Sequence, residues 1–285
     1  MWFYFKNIFF KIGILLLCLV GISLWGFYWA VRPLKIISTL TPKNFGLPYQ
    51  NIELQTTDNV TIRGWFVSNA NPKAKTIILL HGYPADKGNI LPSRKFLHKK
   101  YNLLFIDFRY LGESGGSYST IGKNEVLDVL SAIQYLHKRG LNEVGIWGFS
   151  VGGAVALMTA EVAPEVKAVV AEASYATLDK MSDDYFRIPI LKYPLGKLIR
   201  LWGWIFLGYD SKKVSPLVSA SLLKIPILIM HSKKDRVISF EHAELFKTKL
   251  GNKSNVQFLF FEDLQHGQAP NNYEEVIENF FDKNL

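Results

Sequence analysis

Three residues stand out for the chemistry their types could do together: Ser150 in Gly148-Phe149-Ser150-Val151-Gly152, Asp235 in His231-Ser232-Lys233-Lys234-Asp235, and His266 in Gln265-His266-Gly267. A serine hydroxyl attacks a carbonyl only when a base takes its proton, and that base needs a carboxylate to orient it. Ser150 is therefore the candidate nucleophile, His266 the base and Asp235 the acid, a set suited to acyl transfer. Glycines two before and two after Ser150 allow a strand to turn sharply into a helix, with the hydroxyl standing clear at the turn. The Val151 amide would then open that helix, where unpaired N–H groups and the helix dipole favour a developing oxyanion.

The surrounding pattern supplies elements that could hold such a set. An apolar run, Val144 to Trp147, leads into the serine, and an Ala-rich run, Ala154 to Glu161, leads out. Asn51–Leu54 and Val60–Val67 read as strands joined at Asp58-Asn59, a hairpin signal. Thr76–Leu80, Leu103–Asp107, Val144–Trp147, Val166–Ala171, Ile225–His231 and Val256–Phe261 follow as further strands, several of them continuously apolar, as strands buried on both faces require. Helical spacing of Val126, Leu127, Leu130, Ile133 and Leu136 predicts a helix over Gly122–Arg139, and Tyr273–Phe281 predicts the last one. Alternating strands and helices specify an α/β fold: a mostly parallel central sheet with helices on both faces, led by an antiparallel hairpin. Ligands bind such sheets beyond the C-terminal strand ends, and Ser150, Asp235 and His266 each follow a predicted strand there.

Four stretches together resemble the α/β-hydrolase superfamily over roughly residues 50–285. They are His81-Gly82-Tyr83-Pro84, Asp107-Phe108-Arg109-Tyr110-Leu111-Gly112-Glu113-Ser114, the serine turn, and the pair containing Asp235 and His266. Within the superfamily the chain is most similar to membrane-anchored serine hydrolases with an N-terminal signal anchor. The resemblance implies that the amide of Tyr83 is the second oxyanion donor, beside that of Val151. The Tyr83 side chain is then free to line a pocket, so Tyr83→Phe should be milder than Tyr83→Pro. One departure is Tyr110, where relatives commonly carry glycine, which puts the conformation of that loop in question.

Other residues compete for roles. Glu172 ends a strand and could orient the same histidine, although a hydrogen-bonded structural carboxylate is the favoured reading. Asp107 with Arg109 reads as a structural turn pair. His98, His137 and His242 fall in predicted helices and are expected to face solvent, whereas His231 reads as a packed residue at a strand end.

Ile12–Val31 is an uncharged run of 20 residues between Lys11 and Arg32, the length a helix needs to cross a bilayer. Trp25, Phe27, Tyr28 and Trp29 occupy its far end as an interfacial aromatic belt would, where a cleaved signal peptide would show small residues. The chain therefore divides into a basic N-terminal segment (1–11), a transmembrane helix (12–31), a linker (32–49) and a hydrolase domain (50–285) with a cap insertion at about 177–215. Basic residues on the two sides nearly balance; a short basic N-terminus before a large domain favours a cytoplasmic N-terminus and an extracytoplasmic domain. Within the insertion, Leu195, Leu198, Ile199, Leu201, Trp202, Ile205 and Phe206 form a broad apolar face that could pack on the domain, line an acyl pocket or lie on a membrane.

The net charge of +9 gives little reason to expect nucleic acid. Five of the 33 basic residues lie within residues 1–43, which hold no acid, so the rest carries 28 basic against 24 acidic residues. No dense basic stripe interleaved with aromatics is present. Cys18, the one cysteine, lies in the apolar run, so the soluble part holds no disulfide or cysteine metal site. The expected activity is hydrolysis of a carboxylic ester or thioester with an apolar, lipid-like acyl group, with no metal or organic cofactor. A peptidase or amidase would use the same triad. A catalytically silent, membrane-tethered binding or scaffold protein is the alternative of a different class, and a cofactor-free peroxidase a third.

Overall fold

The computed structural model describes residues 2–285. Eight strands form one sheet: β1 (Gln50–Gln55), β2 (Thr61–Val67), β3 (Thr76–Leu80), β4 (Asn102–Ile106), β5 (Val144–Phe149), β6 (Val166–Glu172), β7 (Ile227–Ser232) and β8 (Val256–Phe261). Their order is β1-β2-β4-β3-β5-β6-β7-β8. β1 pairs antiparallel with β2 and β2 with β4, and every later pairing is parallel. β3 and β4 are buried at every position, because helices cover both faces.

Alternate strand residues feed two cores. Ile78, Ile146 and Val169 pack beneath α3 (Glu125–His137), α4 (Val151–Val162), α7 (Pro216–Leu222) and α8 (Phe240–Leu250). Ile77, Trp147 and Val170 face α2 (Lys87–Arg94) and α9 (Tyr273–Asn284) on the other side. Two boundaries differ from the sequence pattern for identifiable reasons. Helix α3 begins at Glu125, not Gly122, because the Glu125 carboxylate accepts bonds from Ser119 Oγ, Thr120 N and Oγ, and Gly122 N, folding that stretch into a turn. Strand β7 begins after Pro226, which has no N–H for the ladder.

Helix α1 spans Trp2–Val31, and its Lys6–Val31 stretch is long and apolar enough to cross a membrane. Its last turns are part of the folded domain. Ser23, Gly26, Phe27, Ala30 and Val31 are buried, a single helical face at i, i+3, i+4, i+7 and i+8. They dock on α5 (Leu178–Tyr185) and α6 (Lys192–Leu207), which the chain inserts between β6 and β7. Trp202 Nε1 donates to Ser23 Oγ (2.9 Å), and the Phe27 and Phe206 rings stack at 5.9 Å. Two carbonyls that the helix end leaves unpaired are met by Tyr83 Oη to Ala30 O (2.7 Å) and Ser119 N to Val31 O (2.8 Å), and Tyr185 Oη also donates to Gly26 O (3.2 Å).

The segment after α1 also lies on the domain. Ser38 Oγ donates to Asp86 Oδ1 at 2.6 Å, and Lys35 Nζ to Ser114 O at 3.0 Å. Tyr110 takes the left-handed conformation (φ 68°) that glycine would adopt freely. Its N–H donates to Gly115 O, its hydroxyl to Pro33 O, and Lys35 sits over its ring, contacts that offset the strain.

Candidate active site

Ser150 stands between β5 and α4 at φ 57°, ψ −118°, a conformation that costs a non-glycine residue about 1–3 kcal/mol. Its neighbours hold it there. Ser150 N donates to Glu172 O on β6 at 2.8 Å. A Cβ on Gly152 would lie 2.6 Å from Leu80 O and 2.7 Å from His81 O, and one on Gly148 would lie 2.0 Å from Gly152 O. Only glycine lets β3, the turn and α4 approach this closely. Gly82 serves the same end from the opposite loop, since a Cβ there would meet Phe149 at 2.8 Å and Ser150 Cβ at 3.2 Å. The loop bearing Tyr83 is thus pressed against the serine turn. Val151 is the first residue of α4, so its N–H has no intrahelical acceptor.

Asp235 follows β7 in a turn closed on itself, with Oδ1 accepting from Val237 N (2.8 Å) and Ile238 N (2.9 Å). Its Oδ2 lies 2.6 Å from His266 Nδ1. Burial pushes the Asp235 carboxyl up, but the His266 hydrogen bond and charge and the two amides outweigh it and leave the group below the usual carboxylate range. When the ring is neutral, the Asp235 carboxylate accepts the hydrogen bond from Nδ1–H and leaves Nε2 as the acceptor. The His266 ring packs on Phe149, the residue before Ser150, with centroids 4.7 Å apart.

A cavity of about 410 Å³ opens above Ser150, lined by Tyr83, Val151, Tyr175, Met181, Ile199 and Ala30 among others. The structure thus brings Ser150, Val151 and Tyr83 to one cavity, and joins Asp235 to His266 beside it. No hydrogen bond links Ser150 Oγ to His266 among the described residues. Such bonds are commonly long in the unliganded state and tighten when substrate binds.

The competing residues are placed elsewhere. Glu172 Oε2 accepts from Arg94 Nη2 (2.6 Å), Trp147 Nε1 (3.0 Å) and Tyr273 Oη (2.5 Å), a closed buried network. Asp107 and Arg109 are both structural but do not pair with each other. Asp107 holds Lys87 Nζ at 2.6 Å, while Arg109 bridges Asp128 and Asp58. Of the three histidines expected at the surface, His137 is exposed, but His98 is half-buried and bonds Ser68 O, and His242 is fully buried. His242 Nδ1 accepts from Ala176 N, so its Nε2 carries the proton toward Asp184, 3.4 Å away and off the hydrogen-bonding direction. His231 is packed at the end of β7, its Nε2 donating to Ile238 O at 2.9 Å, and burial lowers its basicity.

Two features escaped the sequence reading. His81 is buried and receives the Phe108 N–H on Nε2 (3.0 Å), tying the loop after β3 to the loop after β4. The Tyr83 side chain, which lines the cavity as expected, also reaches α1, donating to Ala30 O and to Trp29 O (3.2 Å).

The family model of the prolyl oligopeptidase family matches residues 96–285, two thirds of the sequence. The chain belongs to this family. Within the α/β-hydrolase superfamily, this family member is 26% identical over 256 residues to protein bem46 of Schizosaccharomyces pombe, covering 86% of this chain and 80% of that one. It is 28% identical over 247 residues to the uncharacterized protein YqkD of Bacillus subtilis, covering 78% and 75% of the two chains. Among solved structures it resembles the Pyrococcus furiosus esterase Pf2001, with a TM-score of 0.73 at 27% identity over 89% of this chain and 99% of that one. Fold and family together make this prolyl oligopeptidase family member an α/β-hydrolase.

Proposed function

We propose that the protein is a membrane-anchored serine hydrolase that cleaves carboxylic esters or thioesters of apolar acyl groups. The observation that carries this reading is the Asp235–His266 pair set against the strained turn that holds Ser150 at an apolar cavity. Ser150 Oγ attacks the carbonyl carbon while His266 Nε2 takes its proton, and the amides of Val151 and Tyr83 hold the oxyanion. Collapse of the tetrahedral intermediate breaks the bond to the leaving group, which departs with the proton from His266. Water, deprotonated by the same nitrogen, then releases the acid and restores Ser150. Asp235 steadies the imidazolium through both halves.

The similarity to an esterase at 27% identity and the apolar lining around Ile199, Met181 and Ala30 support an ester substrate. The family is named for peptidases, so an amide substrate is the second reading. We take α1 as an uncleaved anchor, because Ala30 walls the cavity and Tyr83 and Tyr185 bond its last turns; cleavage before the domain would remove that wall. The charge pattern favours a cytoplasmic N-terminus with the domain on the far side, and protease protection in sealed vesicles tests this.

The activity is tested by giving purified full-length protein and Ser150→Ala a matched panel of esters, thioesters and amides of graded acyl length. The proposal requires Ser150-dependent turnover of esters or thioesters that rises with acyl length. Turnover confined to amides would favour the peptidase reading, and no turnover of any member the scaffold reading.

A further inference from the structure

The Ser150 cavity is one of several voids strung along α1. Between α1 and α6 lies a groove of about 410 Å³ lined by Leu24, Phe27, Tyr28, Val31, Phe206 and Leu207, with Arg32 at its polar end. A narrow void of about 40 Å³ comes next; it shares Phe27 and Val31 with the groove, and Ala30, Ile121, Leu178 and Ile199 with the Ser150 cavity. The three voids therefore have common walls in series, from the side of the anchor helix to the nucleophile. On the opposite side a cavity of about 540 Å³, bordered by Asp184, Arg187, Lys192, Arg236 and Ser239, shares Asp184, Arg187 and Val237 with the Ser150 cavity. One approach to Ser150 is mainly apolar, its Arg200 in the narrow void being paired with Asp179 and Asp183, and the other is charged.

The setting of the apolar approach identifies its occupant. Leu15, Leu16, Leu17 and Trp25 of α1 are more than half exposed, as the lipid-facing residues of a span would be. The groove opens beside that surface, and the outward face of α6 continues it with Leu201, Trp204, Ile205 and Phe206, which are 42–63% exposed. An apolar face continuous with a spanning helix is solvated by acyl chains and not by water.

Building on the proposed ester hydrolysis, we infer that the acyl chain of a bilayer-resident ester reaches Ser150 sideways from the membrane, through the cleft between α1 and α6. The polar part of the substrate then lies toward Arg187 and Arg236, where water enters and the leaving group departs. Gly203 is the gate residue of this route. It borders the narrow void, and a Cβ placed on it would meet nothing within 4 Å, so a larger side chain fills the passage before it disturbs packing.

Full-length protein in phosphatidylcholine vesicles is assayed with p-nitrophenyl oleate carried in the bilayer and p-nitrophenyl acetate in the buffer. Gly203→Phe should lower the ratio of oleate to acetate turnover about tenfold or more, the scale on which a filled apolar pocket discriminates. Phe206→Arg, at the exposed lip of the groove, should lower the same ratio. The ratio is independent of how much of each variant folds. Acetate turnover with an unchanged ratio in both variants would overturn the route while leaving the hydrolase reading intact. Wild-type protein that turns over neither ester would remove the hydrolase reading and the route with it.

Discussion

In the proposed mechanism, Ser150 and its partners divide the chemistry between strain and charge. The serine is held at a positive φ by backbone contacts, and His266 by a carboxylate whose hydrogen bonds outweigh the cost of its burial. Asp235→Asn keeps the shape but no longer fixes the His266 tautomer, so ester turnover should fall by a factor on the order of 10⁴, as in other serine-histidine-aspartate triads, with the fold retained by circular dichroism. Because the Asp235 carboxyl is depressed in the folded state, its stabilising pair exists above the unfolded carboxylate range and is lost as pH falls through the folded value. The melting-temperature advantage of wild type over Asp235→Asn should therefore be full near neutral pH and shrink below about pH 4. At Tyr83 the structure adds a stability cost to the sequence-based expectation. Tyr83→Phe retains the amide but loses the bonds to Ala30 O and Trp29 O, so it should lower stability by about 1 kcal/mol in denaturant unfolding. Tyr83→Pro removes the amide proposed as an oxyanion donor and should cost about 10²–10³ in turnover. Residue types and chain order were enough to select Ser150, Asp235 and His266. They favoured Asp235 over Glu172, but the Arg94, Trp147 and Tyr273 groups that occupy Glu172 were not legible, because they come from distant parts of the sequence.

At the scale of elements, the sheet presents its turns at one edge and buried ion pairs fix the loops beyond them. Arg109 joins the loop after β4 to Asp128 on α3 and to Asp58 in the hairpin between β1 and β2. Arg109→Met leaves the fully buried Asp128 without its cation and should destabilise the domain by about 3–5 kcal/mol. The double variant Arg109→Met, Asp128→Leu should recover a large part of that loss; chemical denaturation of the three proteins measures it. Strand and helix positions were legible because apolar runs and helical spacing are local. The start of α3 was not, since Glu125 gathers the preceding turn by hydrogen bonds that no periodicity reports. His242 likewise looks like a surface histidine on its helix until the backbone of Ala176 is brought over it.

For the whole molecule, the apolar N-terminal helix is part of the folded domain as well as the proposed anchor. Removal of residues 1–31 would strip the Ala30 wall from the Ser150 cavity and uncover α6, so the truncated protein should self-associate in light scattering and lose its preference for long acyl chains in the ester panel. A helix long and apolar enough to cross a membrane was legible in the sequence, but its docking was not, because every face of the run is apolar and hydropathy cannot say which one meets protein. The small residues Ser23, Gly26 and Ala30 were the available signal: they lie on one face, and Gly26 admits the Phe186 ring to within 2.7 Å of where a Cβ would stand. The most direct test of the central claim is labelling of the full-length protein with a fluorophosphonate probe, followed by mapping of the modified residue. The account predicts one adduct, on Ser150, in wild type and none in Ser150→Ala, with labelling slowed in His266→Ala. Folded wild-type protein that stays unlabelled, or an adduct that persists in Ser150→Ala, would contradict it.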